Sequence, residues 1–227
     1  INQADAGKAF GVEFGSPQID LERVREWKND LVTKLTGGLD RISQMRGVDF
    51  MQGKAHFESS RTLLLEGSQK ALIEFEHAII ATGSSPTELP LFEIDHPRIL
   101  DSSKALELPE IYNRILVVGG GYIGLELGTI YASLGSKVTV VELAESLLPG
   151  ADRDLVRPLQ KKLENSFEKI HLNTEVHSVN EADNYFEVCF KGSSQQNSEP
   201  FDAILLAVGR TPNLRGLGLD QTKVTFN

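Results

Sequence analysis

Cysteine is almost missing from this chain: Cys189 stands alone among 227 residues. One sulfur excludes a disulfide framework and points to a reducing compartment, with the cytoplasm as the default location. No apolar run approaches the roughly 20 residues that span a bilayer, so no membrane is expected. Nor is there a basic cluster: the net charge is -9, which argues against nucleic acid as a partner. The sequence also lacks a signal peptide and begins at Ile1 rather than Met, so its true start is expected to be missing. What it has is 40% hydrophobic residues, enough for one large domain or two modest ones.

One stretch organises the rest. Ile115 to Val118 form an apolar run of buried-strand length, followed by Gly119, Gly121 and Gly124 in a G-x-G-x-x-G arrangement. From Tyr122 to Leu134 the pattern turns helical, with Ile123, Leu127, Ile130 and Leu134 on one stripe and Gly135 as a stop. A second strand over Lys137 to Val141 ends in Glu142, an acid about twenty residues beyond the glycines. Gly119 would permit the tight turn, Gly121 would let a pyrophosphate approach, and Gly124 would let helix and strand pack closely. The first helical amides would then hold the phosphates. Gly119, Gly120, Gly121, Tyr122 and Ile123 are thus candidates for the pyrophosphate, Gly124 for the close packing behind them, and Glu142 for the adenosine ribose. No Arg or Lys occurs between Glu142 and Arg153. A 2′-phosphate would meet a carboxylate and no cation, so NAD is favoured over NADP.

Along the chain, residues 1–17 read as irregular, and Asp20 as the N-cap of a long helix with Val24, Trp27, Leu31, Leu35 and Ile42 on one face. That stripe suits a core or subunit contact. Strands are expected at 48–58, 61–65 and 72–75, the last continuing into 78–81, with turns at Ser59-Ser60 and Gly67-Ser68. Residues 87–113 read as a connecting segment. Beyond Glu142 a helix starts near Asp152 with Leu155, Leu159, Leu163 and Phe167 inward, and Pro158 should kink it or delay its start. A short strand at 170–172, a hairpin of 176–179 with 185–191, a loop over 192–199 and a buried strand at 203–207 complete the pattern. Phe186, Val188 and Phe190 should face inward and Cys189 outward, as a structural rather than nucleophilic residue.

Two segments echo each other. Phe75 to Pro86 and Phe201 to Pro212 share the pattern F-acid-x-x-aliphatic-aliphatic-A-x-G-x-x-P, each after a set of short strands. The fold class expected is therefore α/β, with two tandem Rossmann-like nucleotide-binding domains of parallel sheet plus antiparallel meander, one of them incomplete. The domains are expected at 1–112, 113–213 and 214–227, as an interrupted domain, the glycine-fingerprint domain and the return to the first. The interval from Gly119 to Gly209, counted back from Gly83, falls before Ile1, so the chain reads as an internal piece.

With these residues in place the sequence resembles the flavin-dependent pyridine nucleotide–disulfide oxidoreductases, over essentially its whole length. The further points of likeness are Trp27-Lys28 before Leu35 to Leu39, Asp101-Ser102 before Ala105 to Leu108, and Leu148 to Asp152. Within the family it is most similar to the bacterial branch that oxidises dihydrolipoyl groups with NAD. The resemblance implies an FAD domain split by an NAD domain, a homodimer, and lipoyl domains of 2-oxoacid dehydrogenase complexes as partners. It implies that Val176 packs on the adenine and that Ala207, Val208, Gly209 and Arg210 lie beside the nicotinamide half. Ala55, Thr82 and Gly83 would touch FAD, Glu126 would sit near the flavin–nicotinamide junction, and Tyr122 would cover the nicotinamide pocket. Packing on the helix is the alternative for Glu126 and Tyr122. Departures are as plain: the family's reactive cysteine pair, its N-terminal FAD fingerprint, its later Gly-Asp motif and its C-terminal His-Glu pair are all absent, so no residue is named catalytic. Another member of the family (transhydrogenase, mercuric or glutathione reductase type), a stand-alone NAD module, or a purely structural domain are the alternatives.

Overall fold

The computed structural model describes residues 7–13, 15, 17–67, 70–92, 94, 96–192 and 196–225. The chain divides into two compact units: residues 1–26 with 86–210, and residues 27–85 with 211–227.

The first unit is built on a five-stranded parallel sheet. Its strands are β5 (Ile99–Asp101), β6 (Arg114–Val118), β7 (Lys137–Val141), β8 (Lys169–His171) and β12 (Ala203–Leu206), in the order β5-β12-β6-β7-β8. These strands read as nearly unbroken apolar runs because both faces are covered. Ile115, Leu116, Val117, Val138, Val140, Ile204 and Leu205 have no exposed surface. One face carries the helices α2 (Ser102–Leu106), α3 (Tyr122–Ser133) and α4 (Arg153–Glu164). The other carries an antiparallel meander of β9 (Glu175–Glu181), β10 (Phe186–Lys191) and β11 (Gln196–Phe201). Phe186, Val188 and Phe190 alternate onto the sheet as expected, and Cys189 is free and half-buried on the opposite face.

Several expectations need correction. The segment over 192–199 is not a loop throughout: β11 pairs with β10 from Gln196 onward, a polar edge strand that even holds Pro200. Residues 193–195 of that expected loop lie outside the described residues. The connecting segment over 87–113 supplies the edge strand β5 and the helix α2, whose N-cap Asp101 accepts from the amides of Ser103 and Lys104 at 2.7 and 2.8 Å. Helix faces are also rotated. α3 buries Gly124, Leu125, Leu127, Gly128 and Tyr131, and leaves Ile130 exposed. α4 starts at Arg153 with Pro158 inside it, and buries Val156 and Leu163 rather than Leu155. Short glycines on α3 explain the first rotation, since a Cβ on Gly128 would come within 3.2 Å of the Phe167 ring.

The second unit holds a three-stranded antiparallel meander, β1 (Gly53–Phe57), β2 (Thr62–Gly67) and β3 (Ala71–Glu74). The Ser59-Ser60 turn is present, with the amide of Glu58 donating to Thr62 O at 3.0 Å; Ser68 of the other turn lies outside the described residues. Helix α1 (Leu21–Met45) is capped by Asp20, which accepts from the amide of Arg23 at 3.1 Å. Its start, up to Glu26, belongs to the first unit, where Leu21 and Val24 pack on the core, and no residue of α1 is fully buried. Residues 78–81, expected to continue a strand, join no ladder. Two short strands, β4 (Ser84–Pro86) and β13 (Arg210–Pro212), pair with each other. No helix among the described residues is long and apolar enough to cross a membrane.

Candidate functional site

The sheet order of the first unit reverses between β6 and β12: from β6 the chain builds outward through β7 and β8, then returns to β12 on the other side. In an open parallel sheet a crevice lies at the carboxyl ends of the strands where the order reverses. A cavity of about 740 Å³ lies there, lined by Val118, Gly119, Gly121, Tyr122, Ile123, Val141, Glu142, Val176 and Ala207 to Arg210, among others.

The floor is a glycine turn that tolerates little else. Gly119 has φ +112°, and a Cβ on it would meet Ala207 O at 2.4 Å. Its amide donates to Val141 O at 2.8 Å, while the amide of Ala207 donates to Val118 O at 2.8 Å. β6 is thereby clamped to both neighbours at the crevice edge. A Cβ on Gly124 would meet Gly119 O at 2.2 Å, so this glycine sets the close approach of α3 and lies beneath the cavity rather than in it. Gly121 differs. It is the N-cap of α3, it brings no side-chain cap, and a Cβ there would meet nothing within 4 Å. The first amides of a twelve-residue helix, with its dipole, are left facing open space.

Glu142 stands across from this turn. Its Oε2 accepts from the amide of Gly120 at 2.6 Å and its Oε1 from the amide of Ala144 at 2.7 Å. Its own amide donates to His171 O at 2.8 Å, and its carbonyl accepts from Thr174 at 3.0 Å. A carboxylate has about four lone-pair sites, so two remain for a ligand's hydroxyls. Gly120 is a support: a Cβ on it would meet the Leu147 side chain at 2.7 Å. Arg153, the first cation after Glu142, donates to the carbonyls of Leu147, Leu148 and Ala151 at 2.7 to 3.1 Å. It is spent on holding that loop and does not line the cavity.

The remaining candidates separate. Val176 lies in the cavity wall, 8% exposed, and Tyr122 stands at the mouth, 66% exposed. Arg210 donates to Ser102 Oγ at 3.1 Å, still within the lining. Glu126 is outside the cavity, exposed on α3 beside a second hollow of about 510 Å³ that Tyr122 also borders. Ala55, Thr82 and Gly83 belong to the second unit. There the Thr82 hydroxyl donates to Asn213 O at 2.8 Å, and the Asn213 amide donates to Gly83 O at 3.0 Å. Ala55 is half-buried in the first strand of the meander. Among the described residues, no group of three His, Cys, Asp or Glu could hold a metal ion.

Sequence reasoning did not find Leu89, Pro90, Leu91 and Phe92, which line the same cavity from the segment read as a connector. Four residues are too few to show a period. Leu143 also lines the cavity, and a leucine in a loop carries no signal of its own.

The model of the pyridine nucleotide-disulphide oxidoreductase family matches residues 3–227. The chain belongs to that family. Curated relatives named dihydrolipoyl dehydrogenase include one from Vibrio parahaemolyticus, 41% identical over 94% of this chain and 45% of the relative. Another, from Buchnera aphidicola of Schizaphis graminum, is 40% identical over all of this chain and 48% of the relative. Among solved structures, the HOCl-induced flavoprotein disulfide reductase RclA from Escherichia coli superposes with a TM-score of 0.74 at 30% identity, covering 92% of this chain and 47% of that one. The chain thus spans less than half the length of the relatives it matches.

Proposed function

We propose that the first unit binds NAD as the nicotinamide-nucleotide domain of a dihydrolipoyl dehydrogenase. The carrying observation is the pairing of an open glycine turn with Glu142 across a 740 Å³ cavity. Gly119 and Gly124 shape the turn, and Gly121 with the amides of Tyr122 and Ile123 receives the pyrophosphate. Glu142 accepts from the adenosine ribose hydroxyls. Val176 packs on the adenine, while Ala207, Val208, Gly209 and Arg210 flank the nicotinamide half. With Arg153 engaged elsewhere, no cation flanks Glu142 in the cavity lining among the described residues to compensate a 2′-phosphate, which supports NAD over NADP.

NAD, when bound, would supply a hydride acceptor held by this unit. This chain's residues orient the nicotinamide and keep water from it. The second unit contributes only contacts to FAD through Ala55, Thr82 and Gly83; its described residues offer no glycine cradle for an FAD pyrophosphate, and no step is assigned to them. With one cysteine in the sequence, thiol chemistry falls to no residue here. We read Glu126 as a residue of the flavin junction and Tyr122 as the nicotinamide cover. The relatives' name supports dihydrolipoyl groups as substrate. From the family resemblance we propose lipoyl domains as partners and a homodimer as the working form; a single free cysteine supports the cytoplasm.

Calorimetry on the 227-residue chain tests the core of this. NADH should bind more tightly than NADPH, and Glu142→Ala should weaken NADH by about 10- to 100-fold while narrowing the preference. NADPH binding more tightly than NADH would refute the role of Glu142.

A further inference from the structure

The residues from Thr87 to Phe92 cross the wall of the crevice as a strap fixed at both ends. At one end the amide of Thr87 donates to Gly209 O at 3.1 Å, beside the turn that follows β12. At the other, Phe92 is 5% exposed and shares a core with Val118, Val141 and Val176. Between them Leu89 to Phe92 form a single 3-10 turn, closed by the amide of Phe92 donating to Leu89 O at 2.9 Å. Leu89 packs on the same core as Phe92. Pro90 fixes its own φ and has no N–H to satisfy. With Leu89 and Phe92 anchored, Leu91 is the residue of the turn offered outward, 38% exposed and in the cavity lining.

The turn lies at a definite end of the cavity. It packs against β9, the strand that carries Val176, and Leu89 and Phe92 share a core with Val176, so it stands on the Val176 side of the crevice. It brings no charge and no side-chain hydrogen-bonding group to that wall. Such a surface suits the flat face of a base and nothing more polar. A planar ring lying on Val176 has a second face that also gains by leaving water.

Resting on the reading of the crevice as an NAD site, we propose that Leu91 forms the second apolar face of the adenine slot, pre-ordered by the strap. Its contribution falls on the adenosine half alone. Ordering before binding matters because no loop entropy is then lost when the base enters.

Titration of the 227-residue chain with NADH and with ADP-ribose, which lacks nicotinamide, tests this. Leu91→Ala should weaken both by the same factor, about five- to tenfold for the lost apolar contact. Leu91→Met, which keeps the apolar length, should restore both to near the unsubstituted affinity, and the melting temperatures of all three chains should agree. Unchanged affinities in Leu91→Ala would overturn the proposal. So would a loss confined to NADH, which would put Leu91 at the nicotinamide end, or a failure of Leu91→Met to restore binding. An unsubstituted chain that bound neither ligand would instead bring down the NAD reading itself, and the adenine slot with it.

Discussion

Two segments with one pattern meet opposite fates in this molecule. In Phe201–Pro212 the strand β12 lies between β5 and β6, and Ile204 and Leu205 have no exposed surface. In Phe75–Pro86 the matching positions are Ala78 and Ile79, and Ile79 is 95% exposed with no strand on either side among the described residues. Both follow a three-stranded antiparallel meander, and both end in a glycine with positive φ, +73° at Gly83 and +127° at Gly209. The glycine turn thus forms in both segments, whereas the ladder forms in only one. A strand's backbone groups need neighbours, and its β-branched side chains gain only when both faces are covered.

The sharpest way to break this comparison is a charge at the matched positions. Leu205→Asp should abolish cooperative unfolding of the first unit, a loss of at least about 4 kcal/mol, because it buries an unpaired carboxylate. Ile79→Asp should change stability by less than about 0.5 kcal/mol. Urea titration followed by circular dichroism reads both, and comparable losses would mean that residues 78–81 are buried in solution.

A smaller contrast concerns the glycines. Gly119→Ala adds a clash with Ala207 O at 2.4 Å to an unfavourable φ of +112°. It should cost about 2–3 kcal/mol and remove NADH binding together. Gly83→Ala has the unfavourable φ but its nearest neighbour is 3.9 Å away, so about 1 kcal/mol is expected. Equal costs at the two sites would deny the crevice turn its special tightness.

The smallest effect sharpens what holds the first unit's meander. Glu199 on β11 bonds Lys169 Nζ at 2.8 Å and Arg114 Nη2 at 3.2 Å, with His171 Nε2 at 3.6 Å. Burial alone would raise its carboxyl pKa, but the bonds from Lys169 and Arg114 outweigh it and hold the value below the usual glutamate range. A lowered folded-state pKa gives stability that is present above the unfolded value, near 4.3, and is lost as pH falls through the folded one. Glu199→Gln should therefore make the acid limb of the stability profile shallower below about pH 4.3 and leave its shape at neutral pH unchanged. A steeper acid limb would contradict the assignment.

How much was legible follows from the range of each signal. The glycine turn, Glu142, the inward Phe186, Val188 and Phe190 and the Asp20 cap are local patterns, and the structure places each where the pattern does. Gln196 to Glu199 read as loop because an edge strand needs no apolar alternation. Leu155 and Ile130 read as inward because a stripe of leucines and isoleucines fixes a helix's period but not its rotation, which on α3 the close approaches of Gly124 to Gly119 and of Gly128 to Phe167 decide.

By itself, then, the sequence determined the strand–helix–strand unit of β6, α3 and β7, the glycine turn and the carboxylate that follows it. These depend on φ preferences and hydrogen bonds within a few residues. Only the tertiary structure decided that Arg153 is spent on loop carbonyls, that the segment around Leu91 walls the crevice, and that Leu205 is buried while Ile79 is not. Each of those outcomes depends on which distant residue arrives alongside, and that is fixed by packing across the sheet rather than by the residues themselves.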